Sequence, residues 1–186
     1  MLIYSPPTPS QRPWLDAGYG AFAQGGPGGL KVEALARQVG KSKSSFYHLF
    51  ADLEIFTTAL LDWHLDRVRA FAVQERACRQ LDPDLLELLL VSKVDLFFHR
   101  QLRIARAMEP FATYLVRADA CVGEAFLGIW AEVVGLSGRP HLPRQLYDLA
   151  IENFYLRLTE AEFGRPWLLA FFAEVRRLVA GLQRPV

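Results

Sequence analysis

Apolar residues recur at intervals of three or four along most of the chain, which is the period of an α-helix. The first such run covers about residues 10–24, and a glycine-rich stretch, 25–29, ends it. A second run over residues 30–39 ends at Gly40, where glycine adopts the left-handed conformation at little cost. No segment alternates apolar and polar residues with the period of a strand. The pattern therefore predicts an all-α protein.

A third, short helix follows closely after Gly40. Ser42 is a good N-cap for it, and Phe46, Leu49 and Phe50 are its apolar anchors. Because so few residues separate the second and third predicted helices, the pair is expected to form a helix-turn-helix.

Helical patterns continue to the end of the chain. Asp52 is placed to cap a fourth helix that runs towards Cys78, Pro83 stands at a natural helix start, and Pro110 interrupts the pattern. A loop is expected over 135–140. The further helices are predicted over 85–108, 111–117, 121–134, 142–158 and 162–182, with a break at 164–166. The first of these is apolar on more than one side, which predicts a central position in a bundle.

The composition is that of a globular protein: of 186 residues, 52% are hydrophobic and 22% are charged. Residues 1–13 form a loose leader without the basic and apolar regions of a secretory signal. No stretch approaches the ~18 uninterrupted apolar residues of a membrane span. The two cysteines, Cys78 and Cys121, cannot form a disulfide framework. The sequence therefore predicts a cytoplasmic protein with no membrane partner.

Positive charge is concentrated near the start of the chain. The total is close to balanced, with 21 basic and 20 acidic residues and a net charge of +1. Residues 1–50 nevertheless contain five basic and two acidic side chains, whereas the rest contains 16 basic and 18 acidic ones. The segment with the helix-turn-helix pattern is therefore the part suited to a polyanion.

Signatures of enzymes and metal sites are missing from the sequence. It contains no HExxH, GxSxG, GxGxxG or GxxxxGK[ST] motif. The histidines, His48, His64, His99 and His141, lie too far apart for a local metal pair, and no cysteine–histidine spacing suits zinc. We therefore expect no catalytic activity, no metal and no cofactor.

The second and third predicted helices carry the residue types that bind DNA. Their apolar positions face inward, which leaves hydroxyl and basic side chains outward. Small hydroxyls let a helix enter the major groove, and lysine and tyrosine reach phosphates or base edges. The candidate DNA-binding residues are Lys31, Lys41, Ser42, Lys43, Ser44, Ser45, Tyr47 and His48.

This segment resembles the signature of the TetR-type (tetracycline-repressor-like) transcriptional regulators, "LA…G-V-S-K-G-T-L-Y-x-x-F". The matching residues are Leu35, Ala36, Gly40 and the run SKSSFYHLF over 42–50. Phe22 and the glycines after it are similar to the end of that family's first helix. The resemblance covers about a quarter of the chain.

The resemblance implies an N-terminal three-helix DNA-binding domain over 1–52 and a helical effector-binding and dimerisation domain over 53–186. It also implies a ligand-responsive repressor that acts as a homodimer on palindromic double-stranded operator DNA. Lys41 departs from the family pattern because it replaces a small apolar residue. Leu53 departs because a lysine commonly opens the fourth helix and contacts phosphate there.

Aromatic residues in the C-terminal part suggest an effector pocket, with ordinary core packing as the alternative for each. Such pockets are mostly apolar, so a small, largely apolar effector is expected. A basic run over 100–106, with His99, is suited to a carboxylate on the effector. The candidate pocket residues are Phe97, Met108, Phe111, Tyr114, Phe126, Trp130 and Phe154.

The last two predicted helices carry apolar residues around much of their circumference. Such helices need burial on two sides, and a twofold-related copy is the simplest source of the second side. The alternative is a central position within the monomer. The candidate interface residues are Leu146, Leu149, Leu168, Phe172, Val175 and Val179.

A protein of another class is compatible with the same fold. A helical interaction module or small-ligand carrier that has lost operator binding would be favoured by Leu53 and by the near-neutral total charge. Titration against duplex DNA at several salt concentrations separates the two classes, because affinity that depends on phosphate contacts falls steeply with salt.

Overall fold

The computed structural model describes residues 6–136 and 142–182. All regular structure in these two ranges is helical, which confirms the all-α prediction. No helix in them is long and apolar enough to cross a membrane. The helices are α1 (Arg12–Gly25), α2 (Val32–Val39), α3 (Lys43–Phe50), α4 (Leu53–Ala77), α5 (Leu86–Val91), α6 (Lys93–Ile104), α7 (Phe111–Val133), α8 (Leu142–Arg157) and α9 (Arg165–Leu182).

The ends of the first helices lie where the local signals predicted them. Gly40 ends α2 with a left-handed φ of 69°, and the Lys41 N–H donates to the Ala36 carbonyl at 3.0 Å. Asp52 caps α4, since its Oδ1 accepts from the Ile55 N–H at 2.8 Å. Caps and left-handed glycines act within a few residues, so these boundaries are readable from local sequence.

Two predicted helix assignments are wrong. The single helix over 85–108 is divided into α5 and α6 at Ser92, whose ψ of 18° departs from helical values. Neither glycine nor proline marks that break, and the apolar pattern continues across it. The predicted interruption at 118–120 does not exist either, because α7 is continuous. Alanine is a strong helix former and Ala118 is fully buried, so nothing there ends the helix.

The expected loop over 135–140 is described only at its start, where Gly135 has a positive φ of 72°. Residues 137–141, which include His141, lie outside the described residues, as do the first five residues of the predicted leader.

The chain forms two compact units. The first contains the described part of Met1–Arg69 together with Val94–Ala118. The second contains Ala70–Lys93 and the described part of Asp119–Val186. Helices α4 and α7 each contribute to both units. The predicted division into a DNA-binding domain over 1–52 and a regulatory domain over 53–186 does not coincide with these unit boundaries, and it stays a prediction.

Aromatic packing holds α3 in the first unit. The Phe46 ring lies 5.3 Å from the Trp14 ring of α1 and 5.2 Å from the Phe56 ring of α4. Phe50 meets Phe56 edge-on at 4.9 Å. All four side chains are almost completely buried. Each such burial stabilises the fold by about 1.5–3 kcal/mol, so these rings determine which face of α3 points inward.

A polar network that begins at the buried Tyr19 and His64 and ends at the exposed Arg67 joins α1, α4 and α6 in the same unit. The Tyr19 hydroxyl donates to Asp95 Oδ1 at 2.7 Å and lies 2.7 Å from His64 Nδ1. Arg67 makes two hydrogen bonds to the Asp95 carboxylate, at 2.5 and 2.8 Å. Burial, helped by the nearby charges of His99 and Arg67, lowers the pKa of His64 well below its usual range. His64 is therefore a neutral core residue that accepts and donates within the fold.

The second unit contains two aromatic clusters. Trp130 of α7 lies 5.5 Å from Phe126 and 6.0 Å from Tyr147 of α8. Phe154 of α8 meets Phe171 of α9 edge-on at 5.2 Å. These contacts pack α8 against both of its neighbours in sequence.

Candidate nucleic-acid interface

The turn between α2 and α3 is built by local hydrogen bonds. Gly40 leaves α2, and Ser42 adopts an extended conformation with ψ of 155°. The Ser42 Oγ accepts the Ser45 N–H at 3.2 Å, which satisfies one of the free donors at the start of α3. This cap sets the residue at which α3 begins, and therefore the direction in which every α3 side chain points.

The outward face of α3 is polar. Phe46 and Phe50 are buried, whereas Lys43, Tyr47 and His48 are exposed, Tyr47 with half of its surface (50%) accessible. The Tyr47 ring meets the Phe46 ring edge-on at 5.4 Å, so part of the side chain packs on the core while the rest stays accessible. A helix with one buried aromatic face and one exposed hydroxyl and basic face has the form that enters a major groove.

An ion pair joins α2 to α3 on this surface. Lys43 Nζ lies 2.7 Å from Glu33 Oε1, and both side chains are largely exposed. Hydrogen bonding to Glu33 raises the pKa of Lys43, and the same bond lowers the pKa of Glu33. The sequence reasoning missed Glu33. Glu33 lies ten residues before Lys43 on the other side of a tight turn. That spacing and the opposite charges are the signal that could have indicated the ion pair.

The remaining predicted DNA-binding residues lie beside this surface. Lys31 is exposed directly before α2, and Lys41 is exposed in the turn. Ser44 is exposed on the first turn of α3, whereas Ser45 is half-buried. The fold therefore places all eight predicted residues on α2, α3 and their flanking residues, and it leaves every one except Ser45 exposed.

Leu53 begins α4 and is partly exposed. It supplies no charge at the position where the family resemblance expects a lysine. The exposed Lys41 is a cation that the family pattern lacks, so the turn gains a positive charge while the start of α4 loses one.

The predicted effector-pocket residues are divided between the two units. Phe97, Phe111 and Tyr114 are buried in the first unit, whereas Met108 has about half of its surface exposed. The Tyr114 hydroxyl donates to Asp62 Oδ1 at 2.6 Å, and burial raises the pKa of Tyr114 to about 12. The pocket itself stays a prediction.

The three pocket candidates in the second unit, Phe126, Trp130 and Phe154, are all buried in its aromatic clusters. Among the residues that the structure describes, no group of three histidine, cysteine or acidic side chains is arranged to hold a metal ion.

The predicted interface residues fall into two sets. Leu168, Phe172 and Val179 are buried within the single chain, where the alternative of a central position describes them. Leu149 is 73% exposed, and Leu146 and Val175 are half-buried. The second set offers surface to another copy, and the dimer interface itself stays a prediction.

No protein-family model and no curated protein matches the chain. Solved structures do match it. A transcriptional regulator of the TetR/AcrR family from Aquifex aeolicus VF5 is 16% identical, with a TM-score of 0.61 over 93% of this chain and 99% of that chain.

Two further structures are assigned to the TetR family of transcriptional regulators. The protein from a Rhodococcus species is 20% identical, with a TM-score of 0.57 over 94% of this chain and 96% of that one. The protein from Mesorhizobium loti MAFF303099 is 18% identical, with a TM-score of 0.56 over 95% of this chain and 98% of that one. The chain therefore has the fold of TetR-family regulators, which confirms at the level of fold the resemblance seen in α2 and α3.

Proposed function

We propose that this protein is a DNA-binding transcriptional regulator, a ligand-responsive repressor that acts as a homodimer on a palindromic operator. The observation that carries the proposal is the exposed face of α3. Lys43, Ser44, Tyr47 and His48 are presented to solvent there on a helix held by buried phenylalanines. The likeness to TetR-family regulators over more than 90% of the chain supports it.

The ion pair between Lys43 and Glu33 defines how DNA competes for the lysine. In the free protein Lys43 is held at 2.7 Å from Glu33. A phosphate carries the same charge as the Glu33 carboxylate and replaces it as the partner of Lys43. Glu33 then remains near the DNA backbone as an unfavourable negative charge, which limits binding to sequences that offer further contacts.

The test is fluorescence anisotropy with labelled duplex DNA, both of random sequence and selected by the protein from a randomised library. Wild-type affinity should fall steeply with salt through counterion release. Lys43→Ala should weaken all sequences alike and reduce the salt slope by about one. Tyr47→Ala should weaken binding while leaving the melting temperature nearly unchanged. Glu33→Gln should tighten binding to random DNA.

Lys93→Ala is the matched control, because it also removes one lysine but lies outside α2 and α3. Its DNA affinity should equal that of the wild type. Wild-type affinity that is absent, or independent of salt, would contradict the proposal and favour an interaction module or ligand carrier with this fold. Unchanged affinity in both Lys43→Ala and Tyr47→Ala would exclude α3 as the recognition helix.

The proposed dimer uses the outward face of α8. Leu149 and Leu156 are seven residues apart, so they lie on one side of the helix, and they are 73% and 78% exposed. Two exposed leucines on one side of a helix form an apolar strip, which a twofold-related copy would bury. Two copies would present two α3 helices to half-sites about 34–36 Å apart.

The double variant Leu149→Glu, Leu156→Glu should sediment as a folded monomer with weakened operator binding. Val73→Glu is its control, because Val73 is an exposed apolar residue of α4 in the same unit. A double variant that remains dimeric would place the interface elsewhere.

The proposed ligand response couples the two binding events thermodynamically. A ligand that favours the state unable to bind DNA weakens DNA binding, and DNA weakens ligand binding by the same factor. Titrating ligand with and without operator DNA measures one factor, titrating DNA with and without ligand measures the other, and the two must agree.

A further inference from the structure

Glu75 is a buried acidic residue that the proposed DNA interface does not use. It lies near the end of α4, three residues after Ala72 and seven after Val68, so it continues the buried apolar side of that helix. Only 3% of its surface is exposed. Its Oε2 is buried and has no hydrogen-bond partner in the described part of the chain.

No basic side chain compensates fully for the burial of this carboxyl group. Burial raises the pKa of Glu75 to about 8, and the neighbouring Arg76, which points to solvent, opposes the shift only in part. A buried carboxylate without a partner is costly whether it is ionised or holds an unsatisfied hydroxyl. Leucine at this position would avoid that cost, so the acid is a feature that folding alone does not explain.

The composition of the buried part of the second unit limits what could pair with Glu75. The buried side chains of that unit are mostly leucine and aromatic residues, and Glu75 is the one buried charged residue among those that the structure describes there. An inorganic cation needs several ligands, and no group of three suitable side chains exists among the described residues. A single carboxylate among mostly apolar buried side chains instead suits an organic ligand that carries one positive charge on an apolar body.

We propose that Glu75 is the charge-recognising residue of a binding site, within the second unit, for a small organic cation such as a protonated amine with an apolar body. This inference rests on the proposed function in one respect, because it names the chemical class of the effector. It replaces an acidic effector bound by the basic run at 100–106 with a cationic one bound by an acid on α4.

The test compares 4-phenylbutylamine with its neutral isostere 4-phenylbutan-1-ol by isothermal titration calorimetry on the full chain without DNA. The amine should bind the wild type more tightly than the alcohol. Glu75→Gln should weaken amine binding at least tenfold and leave alcohol binding unchanged. Glu124→Gln, which removes an exposed acid of the same unit, should bind both probes as the wild type does.

Three results would overturn the proposal: neither probe binds the wild type, both bind it equally, or the amine binds Glu75→Gln as tightly as the wild type. Circular dichroism checks that each variant is folded. If Glu75→Gln does not fold, Glu75→Leu removes the acid while continuing the apolar stripe, and retained amine affinity in that variant is then the overturning result.

Anisotropy with operator DNA separates this inference from the proposed function. A protein that binds the amine but no DNA retains the Glu75 site and refutes the regulator. A protein that binds DNA but not the amine supports the proposed regulator and refutes the Glu75 site. If the wild type binds both the amine and DNA, the amine should weaken its DNA binding and leave DNA binding by Glu75→Gln unchanged.

Discussion

The buried acid Glu75 should make the stability of this protein fall as pH rises from 5 to 8. Burial raises the pKa of Glu75 from 4.5 to about 8 in the folded chain. The folded state therefore binds more protons than the unfolded state within this window. The free energy of unfolding then decreases as pH rises. The stability that the fold has while Glu75 is protonated is fully present below pH 4.5 and is lost as pH rises through the folded pKa of about 8.

The size of the effect follows from the two pKa values. With 4.5 for the unfolded and about 8 for the folded chain, linkage costs about 1 kcal/mol at pH 5 and about 3 kcal/mol at pH 7. The Glu75→Gln variant cannot titrate at this position. The free energy of unfolding of Glu75→Gln minus that of the wild type should therefore increase by about 2–3 kcal/mol from pH 5 to pH 7.

The assay is urea denaturation of both proteins at one fixed protein concentration and several pH values. The difference between them removes the contributions of other groups. His64 is the most important of these, because its lowered pKa acts in the opposite sense and makes the fold lose stability as pH falls. Glu124→Gln should follow the wild type at every pH. If the difference in unfolding free energy between the wild type and Glu75→Gln stays constant from pH 5 to pH 8, the pKa of Glu75 is not raised in the folded chain.

Three further substitutions test the fold through its melting and denaturation curves. Gly18→Ala should destabilise by about 1–3 kcal/mol, because a Cβ there overlaps the buried Phe56 ring; wild-type stability would contradict that packing. Ala51→Gly should stabilise by about 0.5–1 kcal/mol, because φ of 59° and ψ of −53° strain an alanine by more than glycine loses in unfolded-state entropy; a lower melting temperature would be the contrary result. Tyr19→Phe should cost about 1–3 kcal/mol by removing the hydroxyl between His64 and Asp95, and a neutral effect would exclude that network as a stabilising feature.

Local sequence signals are sufficient to predict the helices around the candidate DNA interface. The left-handed Gly40, the Ser42 cap and the Asp52 cap each act through hydrogen bonds within five residues. Period and capping therefore predicted α2, α3 and the start of α4, and the alternation of buried phenylalanines with polar residues predicted the outward face of α3. Local interactions decide these features, so local sequence reveals them.

Packing between distant parts of the chain sets the features that local sequence does not predict. Ser92 divides a continuous apolar pattern, and the buried Ala118 lies within an unbroken α7, although neither position carries a glycine or proline signal. The three-to-four-residue spacing of Val68, Ala72 and Glu75 was visible in the sequence. That the acid is buried without a partner follows only from how the second unit packs around it. Burial is a property of the whole unit, because several helices must meet before a side chain leaves water.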